Sequence, residues 1–522
     1  MIDGVTAAAC LSVVGGASLL AVTARRLHRS DALPSLTGWA LADRRLGPVW
    51  TWFLLGGTIF TAYTFTAVPG LIYGEGASAF FALPYTVIVC PMAFLLLPRL
   101  WMVARRHGYV TVADFVKGRY GSAPLALVVA LTGILATMPY LALQLLGIRA
   151  VLVAGGMYPG GAYGDLAMIA LFAGLALATY RHGLRAPTVI SAMKGAAIFC
   201  SAVAAFALVL AKLGGPGKVF DEAGRHLAAR GTGTGNASLL LTQQQQSGFA
   251  TLALGSALAL LLYPHVLTAA FAASGPDTLR RVSIALPAWT AVLGLFGILG
   301  VAAMAADVRT PRGNAEAAVP MLVDHLMPSA LAGLVFGAIT VGALVPAAVM
   351  SIAAATSFAR NVYVEYIHPT ATPKRQMRVA RVVSLIAKVG AIAFVFGLRD
   401  QAAINLQLLG GIWILQTLPA VLIGLFTRRL HHRALLTGWA AGMAVGTVLA
   451  VREGFSPVVP LDLAGHGVQV YAGVVAVAVN LVVTVTTSPF FDRIGAPRGR
   501  DTTELPDRLT LGRPQGGEAS RP

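Results

Sequence analysis

Charge is what this chain of 522 residues has least of. Charged side chains make up 11% of it and hydrophobic ones 57%, whereas soluble domains carry about 25% charged residues. With a mean hydropathy of +0.74, so long a chain cannot close into one soluble core. It reads as an all-α polytopic membrane protein. Cysteine is scarce too. Cys10, Cys90 and Cys200 all lie in apolar segments without metal-ligand spacing, so they read as small buried hydrophobes. Enzyme motifs are missing. There is no Walker A sequence, which leaves direct ATP drive unsupported, no HExxH and no GxSxG. No acidic pair sits inside an apolar run. The chain therefore reads as no enzyme, without an organic cofactor, and any solute movement would draw on an ion gradient. The start, MIDG, has no basic stretch and the first apolar run is followed by arginines. That run is expected to stay as a span.

Acidic residues are also short, 21 against 39 basic, for a net charge of +18. In a soluble protein this would suggest nucleic acid. In a membrane protein it points instead to positive charge collected on cytoplasmic loops. A span needs about 20 largely apolar residues, and thirteen candidates are found near 5–24, 49–72, 77–103, 123–154, 164–181, 186–212, 249–272, 282–306, 328–360, 378–398, 402–426, 434–452 and 469–488. With the N-terminus outside, 29 of the 39 basic residues fall on the cytoplasmic side, Lys194 among them, and Lys388 falls within a span. The short loops alternate consistently. The arrangement expected is a multi-pass protein in a bacterial inner membrane, N-terminus out and C-terminus in, with lipid as its surroundings and no nucleic-acid partner. The loop 213–248 is Gly-rich and polar and reads as flexible, extracytoplasmic and without a core. The tail after Asp492 is charged and rich in Pro and Gly and reads as disordered.

One span is interrupted where it should be most regular. Trp50 to Gly76 carries Gly56-Gly57 near its middle, then Thr58, Thr61, Thr64 and Thr66, and Pro69-Gly70. Glycine weakens a helix, and each backbone group it frees needs another partner. The stretch is either a kinked packing helix or a discontinuous helix whose unwound backbone binds an ion and a solute. Five spans later another apolar run carries Gly255-Ser256 and Pro264. An odd offset gives two five-span halves opposite topology, which points to an inverted-repeat transporter.

Further polar residues stand out. Gly57 and Phe60 are three apart, and so are Ala348 and Ser351. Unwinding at the first pair, with the Ala348 carbonyl and Ser351 hydroxyl on one side of their helix, would give an oxygen-only site suited to Na⁺. Alternatively, Ser351 bonds back to its own helix. Tyr140 and Gln144 share a face behind Pro139. An intramembrane glutamine is either a functional group or interhelical glue. His265 is a proton carrier or a neutral, hydrogen-bonded histidine. Asn405, Gln407, Gly410-Gly411, Trp413 and Gln416 suit an extracellular gate or packing.

Several stretches together resemble the sodium/solute symporter family, and within it the bacterial monocarboxylate permeases. They are GGTIFTAYTFTAVPG, GYVTVADFVKGRYGS, TMPYLALQLLGI, YPHV, GALVPAAVMSIAAATSFARNVYVEY and INLQLLGGIWILQTLPA. They keep a plausible order from about residue 48 to 440. The resemblance implies a LeuT-like five-plus-five inverted repeat with alternating access. It also implies a sodium site of the Gly57, Phe60 and Ala348 carbonyls and the Ser351 hydroxyl. Two departures stand against that site. Many members have a second hydroxyl after the Ser351 position, where this chain has Ile352, and Ile59 stands where some have a carboxylate. A proton is therefore the alternative coupling ion, with His265 as its carrier.

The domain organisation expected is a leading helix and loop (1–48), a transport core (49–427, halves 49–212 and 249–427), two added helices (428–490) and a tail (491–522). The function expected is cation-coupled import of short monocarboxylates such as pyruvate, lactate, acetate or propionate. No arginine lies clearly within a span, so Thr58, Thr61, Tyr63, Tyr140, Gln144 and Gln407 are the expected solute ligands, with Trp413 as a lid. The alternatives are a sodium/amino-acid or other organic-solute symporter, a sensor that keeps the fold without transport, or a channel. The short polar tail speaks against a sensor output domain.

Overall fold

The computed structural model describes residues 3–27, 35–158, 161, 163–166, 168–170, 183–230, 239–311, 313–397, 403–463 and 466–503. Among them, nine helices are long and apolar enough to cross a membrane, and three bent helix pairs raise the number to twelve. The remaining expected span, 164–181, falls largely outside the described residues.

The chain opens with α1 (Gly4–Leu27). A bent pair follows, α2 (Pro48–Ile59) and a second arm through Tyr63–Ala67 into α3 (Val68–Glu75). Next come α4 (Ala82–His107), α5 (Ala123–Ala154) and α6 (Arg185–Lys212). After α7 (Pro216–Arg230) a second bent pair begins, α8 (Gln243–Leu260) and α9 (Pro264–Phe271). It is followed by α10 (Pro287–Ala305), α11 (Ser329–Phe358) and α12 (Pro373–Gly397). A third bent pair starts with α13 (Ala403–Ile414), and α14 (His432–Arg452) and α15 (Ala472–Arg493) close the bundle. The architecture is the LeuT-like five-plus-five repeat.

α11 is the central post, with its most apolar stretch wholly buried. It packs on α1, α5, α6 and α12. Small residues allow this. A Cβ on Gly333 would lie 2.4 Å from the Thr6 carbonyl, and one on Gly337 would lie 2.6 Å from Val13. In a bilayer helix association depends on such close backbone approach, because lipid offers apolar side chains no less favourable surroundings.

The breaks sit later than expected. The first pair bends by 52° between Ile59 and Tyr63, not at Gly56-Gly57. The second bends by 48° between Leu260 and Pro264, not at Gly255-Ser256. At the second, proline has no N–H to continue the ladder and tolerates only the first helical turn. The third bends by 42° at Thr417–Pro419, again just before a proline.

Three other expectations are corrected. The 213–248 loop is not without structure: α7 buries Val219, Ala223 and Leu227, spaced i, i+4, i+8, and packs on α10. A two-stranded hairpin, β1 (Val458–Leu463) paired antiparallel with β2 (His466–Tyr471), interrupts the helical pattern between the last two spans. The tail is ordered through Thr503. Arg498 donates to Asp492 at 2.6 Å and to the Arg428 and Arg429 carbonyls, while Asp501 pairs with Arg119 at 2.9 Å.

Two stretches that carry the resemblance meet at this end of the bundle. Thr111 and Asp114 form a reciprocal capping box that starts the short helix Val112–Tyr120. The same Asp114 carboxylate accepts from Val110 N at 2.9 Å and from Asn361 Nδ2 at 2.8 Å, and Thr111 Oγ1 donates to Asn361 Oδ1 at 2.7 Å. Lys117 pairs with Glu365 at 2.7 Å. Asp114→Ala is expected to lower stability by about 2 kcal/mol, since charge-assisted bonds are lost and buried donors stranded. Lys117→Ala, an exposed pair, is expected to cost under about 1 kcal/mol. Thermal unfolding in detergent compares the two, and equal losses would contradict this assignment.

Candidate functional site

The break after α2 arises because Phe60 leaves helical geometry, with φ −93° and ψ 98°. A helix end leaves its last four carbonyls without intrahelical partners and concentrates partial negative charge there. Two of those carbonyls converge on one group: Lys194 Nζ donates to Gly57 O at 2.6 Å and to Phe60 O at 2.9 Å. Lys194 is fully buried, and its ammonium lies 5.7 Å from the Phe65 ring centroid. The positive-inside reading, which assigned this lysine to the cytoplasmic side, is corrected. It sits nine residues into α6, facing the free end of α2.

The Gly56-Gly57 pair has a different task from breaking the helix. A Cβ on Gly56 would stand 2.1 Å from the Trp289 indole nitrogen, and one on Gly57 would stand 3.3 Å from Ser191 Oγ. On the facing helix a Cβ on Gly195 would stand 2.5 Å from the Phe53 ring. These glycines bring α2 against α6 and α10 closely enough for Lys194 to reach over the helix end.

The other two oxygens expected at a sodium site pair with each other. Ser351 Oγ donates to the Ala348 carbonyl at 2.9 Å, and both residues are buried in α11 beside Ile352. The structure thus brings Gly57 and Phe60 to one point and sets Ala348 with Ser351 on α11, which packs on α2 and α6.

Gln144 clips the same break from the far side. Its Oε1 accepts from Ala62 N at 3.2 Å, while its Nε2 donates to Thr61 Oγ1 at 3.3 Å and to the Tyr140 carbonyl at 3.1 Å. Gly147, one turn on, makes the approach feasible, since a Cβ there would lie 2.4 Å from that of Ala62. Thr61 Oγ1 also accepts from Tyr63 N at 3.2 Å.

Beside Gln144 is a buried polar cluster. Tyr140 lies 5.3 Å from both Tyr263 and His265, ring to ring, and Tyr263 lies 5.2 Å from His265. The Tyr263 hydroxyl donates to the Gln407 carbonyl at 3.1 Å, in space kept by Gly410. Among the described residues, the Tyr63 and Tyr140 hydroxyls, both His265 ring nitrogens and Gln407 Oε1 are buried without a hydrogen-bond partner. Buried polar groups are nearly always paired, so this concentration of unpaired donors and an acceptor makes the cluster a candidate site for a small polar ligand. The reading of His265 as a hydrogen-bonded histidine is corrected.

Two expected ligands point elsewhere. Thr58 Oγ1 donates to the Leu54 carbonyl at 2.5 Å, within its own helix. Trp413 Nε1 donates to Thr447 Oγ1 on α14 at 3.2 Å, so its indole nitrogen is engaged with that helix. Sequence reasoning missed Lys194, Tyr263 and Trp289. A signal for the first was a lysine well inside an apolar run, between Ser191 and Gly195.

At the end of the bundle opposite Asp114, a vestibule of about 370 Å³ opens between Glu75, Phe81, Phe249, Asn405 and Leu408. Nearby, buried Glu316 accepts from Ala403 N at 2.7 Å and so ties down the start of α13. Burial raises its carboxyl above the ordinary 4.5, against the opposing amide bond. The folded value exceeds the unfolded one, so this group favours folding most below the unfolded value. That contribution is lost as pH rises through the folded value. Glu316→Gln, which keeps an uncharged acceptor, is expected to flatten the fall in unfolding temperature between about pH 4 and pH 8. A slope equal to wild type would remove Glu316 as its cause.

Residues 39–442 match the family model described as sodium:solute symporter family. A monocarboxylate transport permease protein of Rhizobium johnstonii is 45% identical over 471 residues, covering 90% of this chain and 94% of that one. An uncharacterized symporter of Bacillus subtilis, YodF, is 31% identical over 88% of each chain. Among solved structures, a Na⁺-coupled sialic acid symporter in a substrate-bound, outward-open state superposes with a TM-score of 0.74. It does so at 16% identity, over 94% of this chain and 99% of its own. A nucleobase–cation symporter in a closed conformation superposes at 0.52 with 14% identity, over 91% and 98%. At these identities the superpositions establish the fold.

Proposed function

The chain belongs to the sodium:solute symporter family, and from that premise we propose that it imports short monocarboxylates of the pyruvate, lactate, acetate and propionate class by alternating access. Membership makes it a cation-coupled, multi-pass membrane symporter for a small solute. The observation that carries the substrate class is the relative named a monocarboxylate transport permease, with 45% identity across nearly the whole chain. The site's chemistry agrees. A single carboxylate can be held by uncharged donors, here the Tyr63 and Tyr140 hydroxyls and a His265 N–H, with Gln407 Oε1 left for a substrate hydroxyl. Thr61 and Gln144 hold the break in shape beside them. The cation site is the end of α2, at the Gly57 and Phe60 carbonyls, with Ala348 and Ser351 on the neighbouring post. The protein sits in a bacterial inner membrane with the N-terminus and the Glu75 vestibule outside, and Asp114 and the tail in the cytoplasm.

Uptake of labelled pyruvate by proteoliposomes, under imposed sodium and pH gradients separately, tests this reading. Accumulation is expected under at least one gradient. Competition is expected from lactate and not from proline or glucose. Competition by proline alone would move the substrate to amino acids, and accumulation under neither gradient would remove the symporter reading.

A further inference from the structure

We propose that Lys194 Nζ takes the place of a bound cation at the break in α2, so that no sodium ion binds there. This deepens the cation-coupled reading above and rests on it for the link to solute movement.

The geometry carries it. The Gly57 and Phe60 carbonyls are the oxygens a bound cation would need, and both already accept from Lys194 Nζ, at 2.6 and 2.9 Å. A sodium ion cannot share that point, since Nζ already stands within hydrogen-bond distance of both oxygens. The remaining face of the ammonium looks to the Phe65 ring, whose π-face attracts a cation. The sequence agrees from the other side of the site. The residue after Ser351 is Ile352, which offers no oxygen, and Ser351 itself is engaged with the Ala348 carbonyl.

The surroundings contain nothing else to balance or replace the lysine. α6 packs on α1, α2, α10, α11 and the short helix Ala318–Leu326. α2, α10 and α11 have no titratable side chain at all. α1 has Cys10, Arg25 and Arg26, the short helix has Asp324 and His325, the arm beyond the break has Tyr63, Tyr73 and Glu75, and α6 itself has Arg185, Cys200 and Lys212. Among the described residues no carboxylate forms an ion pair with Lys194.

The test uses the full chain in liposomes and in detergent. Pyruvate uptake under a fixed pH gradient is expected to change by less than about twofold when all sodium is replaced by N-methylglucamine. Wild-type unfolding temperature is expected not to respond to sodium. Lys194→Ala combined with Ile352→Thr clears the ammonium and adds a hydroxyl, and is expected to gain a saturable, sodium-dependent rise in unfolding temperature. Sodium stabilisation of the wild type, or loss of uptake without sodium, would each overturn the proposal. The sodium response of unfolding needs no substrate. A wild type that exchanges no pyruvate therefore counts against the monocarboxylate reading alone.

Discussion

Replacing Gln144 by leucine is expected to cut the initial rate of pyruvate uptake by at least about tenfold in protein that still reaches the membrane. The reason lies in the backbone at the first break. Where α2 stops, the Ala62 N–H has no helical partner, and Gln144 Oε1 is what it bonds, at 3.2 Å in a fully buried position. Leucine fills the space but accepts nothing. An orphaned buried amide costs about 1–3 kcal/mol, and here the arm that carries Tyr63 would relax to recover it. The Nε2 bonds to Thr61 Oγ1 and the Tyr140 carbonyl go as well. Gln144→Glu separates the two parts: an ionised carboxylate keeps the acceptor for Ala62 and loses both donors, so an intermediate rate is expected. Wild-type uptake by Gln144→Leu, at matched membrane content, would show that the clip is packing only.

The second large effect contrasts two adjacent glycines. Gly56→Ala is expected to abolish recovery of folded protein, and Gly57→Ala to retain it. A methyl on Gly56 would meet the Trp289 indole at 2.1 Å. That indole is fully buried and cannot swing away, being packed by Trp52, Phe60 and Phe199 with ring centroids 5.6, 5.8 and 5.0 Å distant. Overpacking costs about 1–3 kcal/mol or more, and here it would push α10 off the break. A methyl on Gly57 would press lightly on the Ser191 hydroxyl at 3.3 Å, a group that turns about its own bond, and would otherwise make ordinary contacts with Ser191 Cβ at 3.5 Å and Lys194 Nζ at 3.8 Å. Monodispersity after detergent extraction reads both. Equal recovery of the two variants would refute the contrast.

Much of the architecture was legible from the sequence alone because the bilayer imposes a length rule. Apolar runs of about 20 residues can only be spans, and those expected at 123–154 and 186–212 became Ala123–Ala154 and Arg185–Lys212. The two interrupted spans were legible as well, and with them the two halves. Their exact points of unwinding were not. Gly56-Gly57 read as a break because glycine weakens a helix, yet neighbouring helices hold these residues helical and use their missing side chains for contact. The loop helix α7 and the ordered tail were hidden for the opposite reason. Their composition is that of disorder, and only the surfaces they lie on hold them.

In the candidate site, Tyr63, Tyr140, Gln144 and Gln407 stand out in the sequence because polar groups inside spans are costly. Lys194 escaped because a lysine nine residues from a helix end also fits a side chain reaching back to the interface, and charge counting along a chain cannot tell the two apart. Composition and periodicity by themselves determined that this chain spans a membrane many times and that two of the three bent spans are interrupted, since those follow from the transfer of each segment from water to lipid. Which carbonyls the first break frees, and that a lysine from another helix takes them, only the tertiary structure decided. A hydrogen bond between residues 57 and 194 depends on how closely two helices approach, and that distance is set by glycines, an indole and a benzyl ring packing together, which local sequence does not encode.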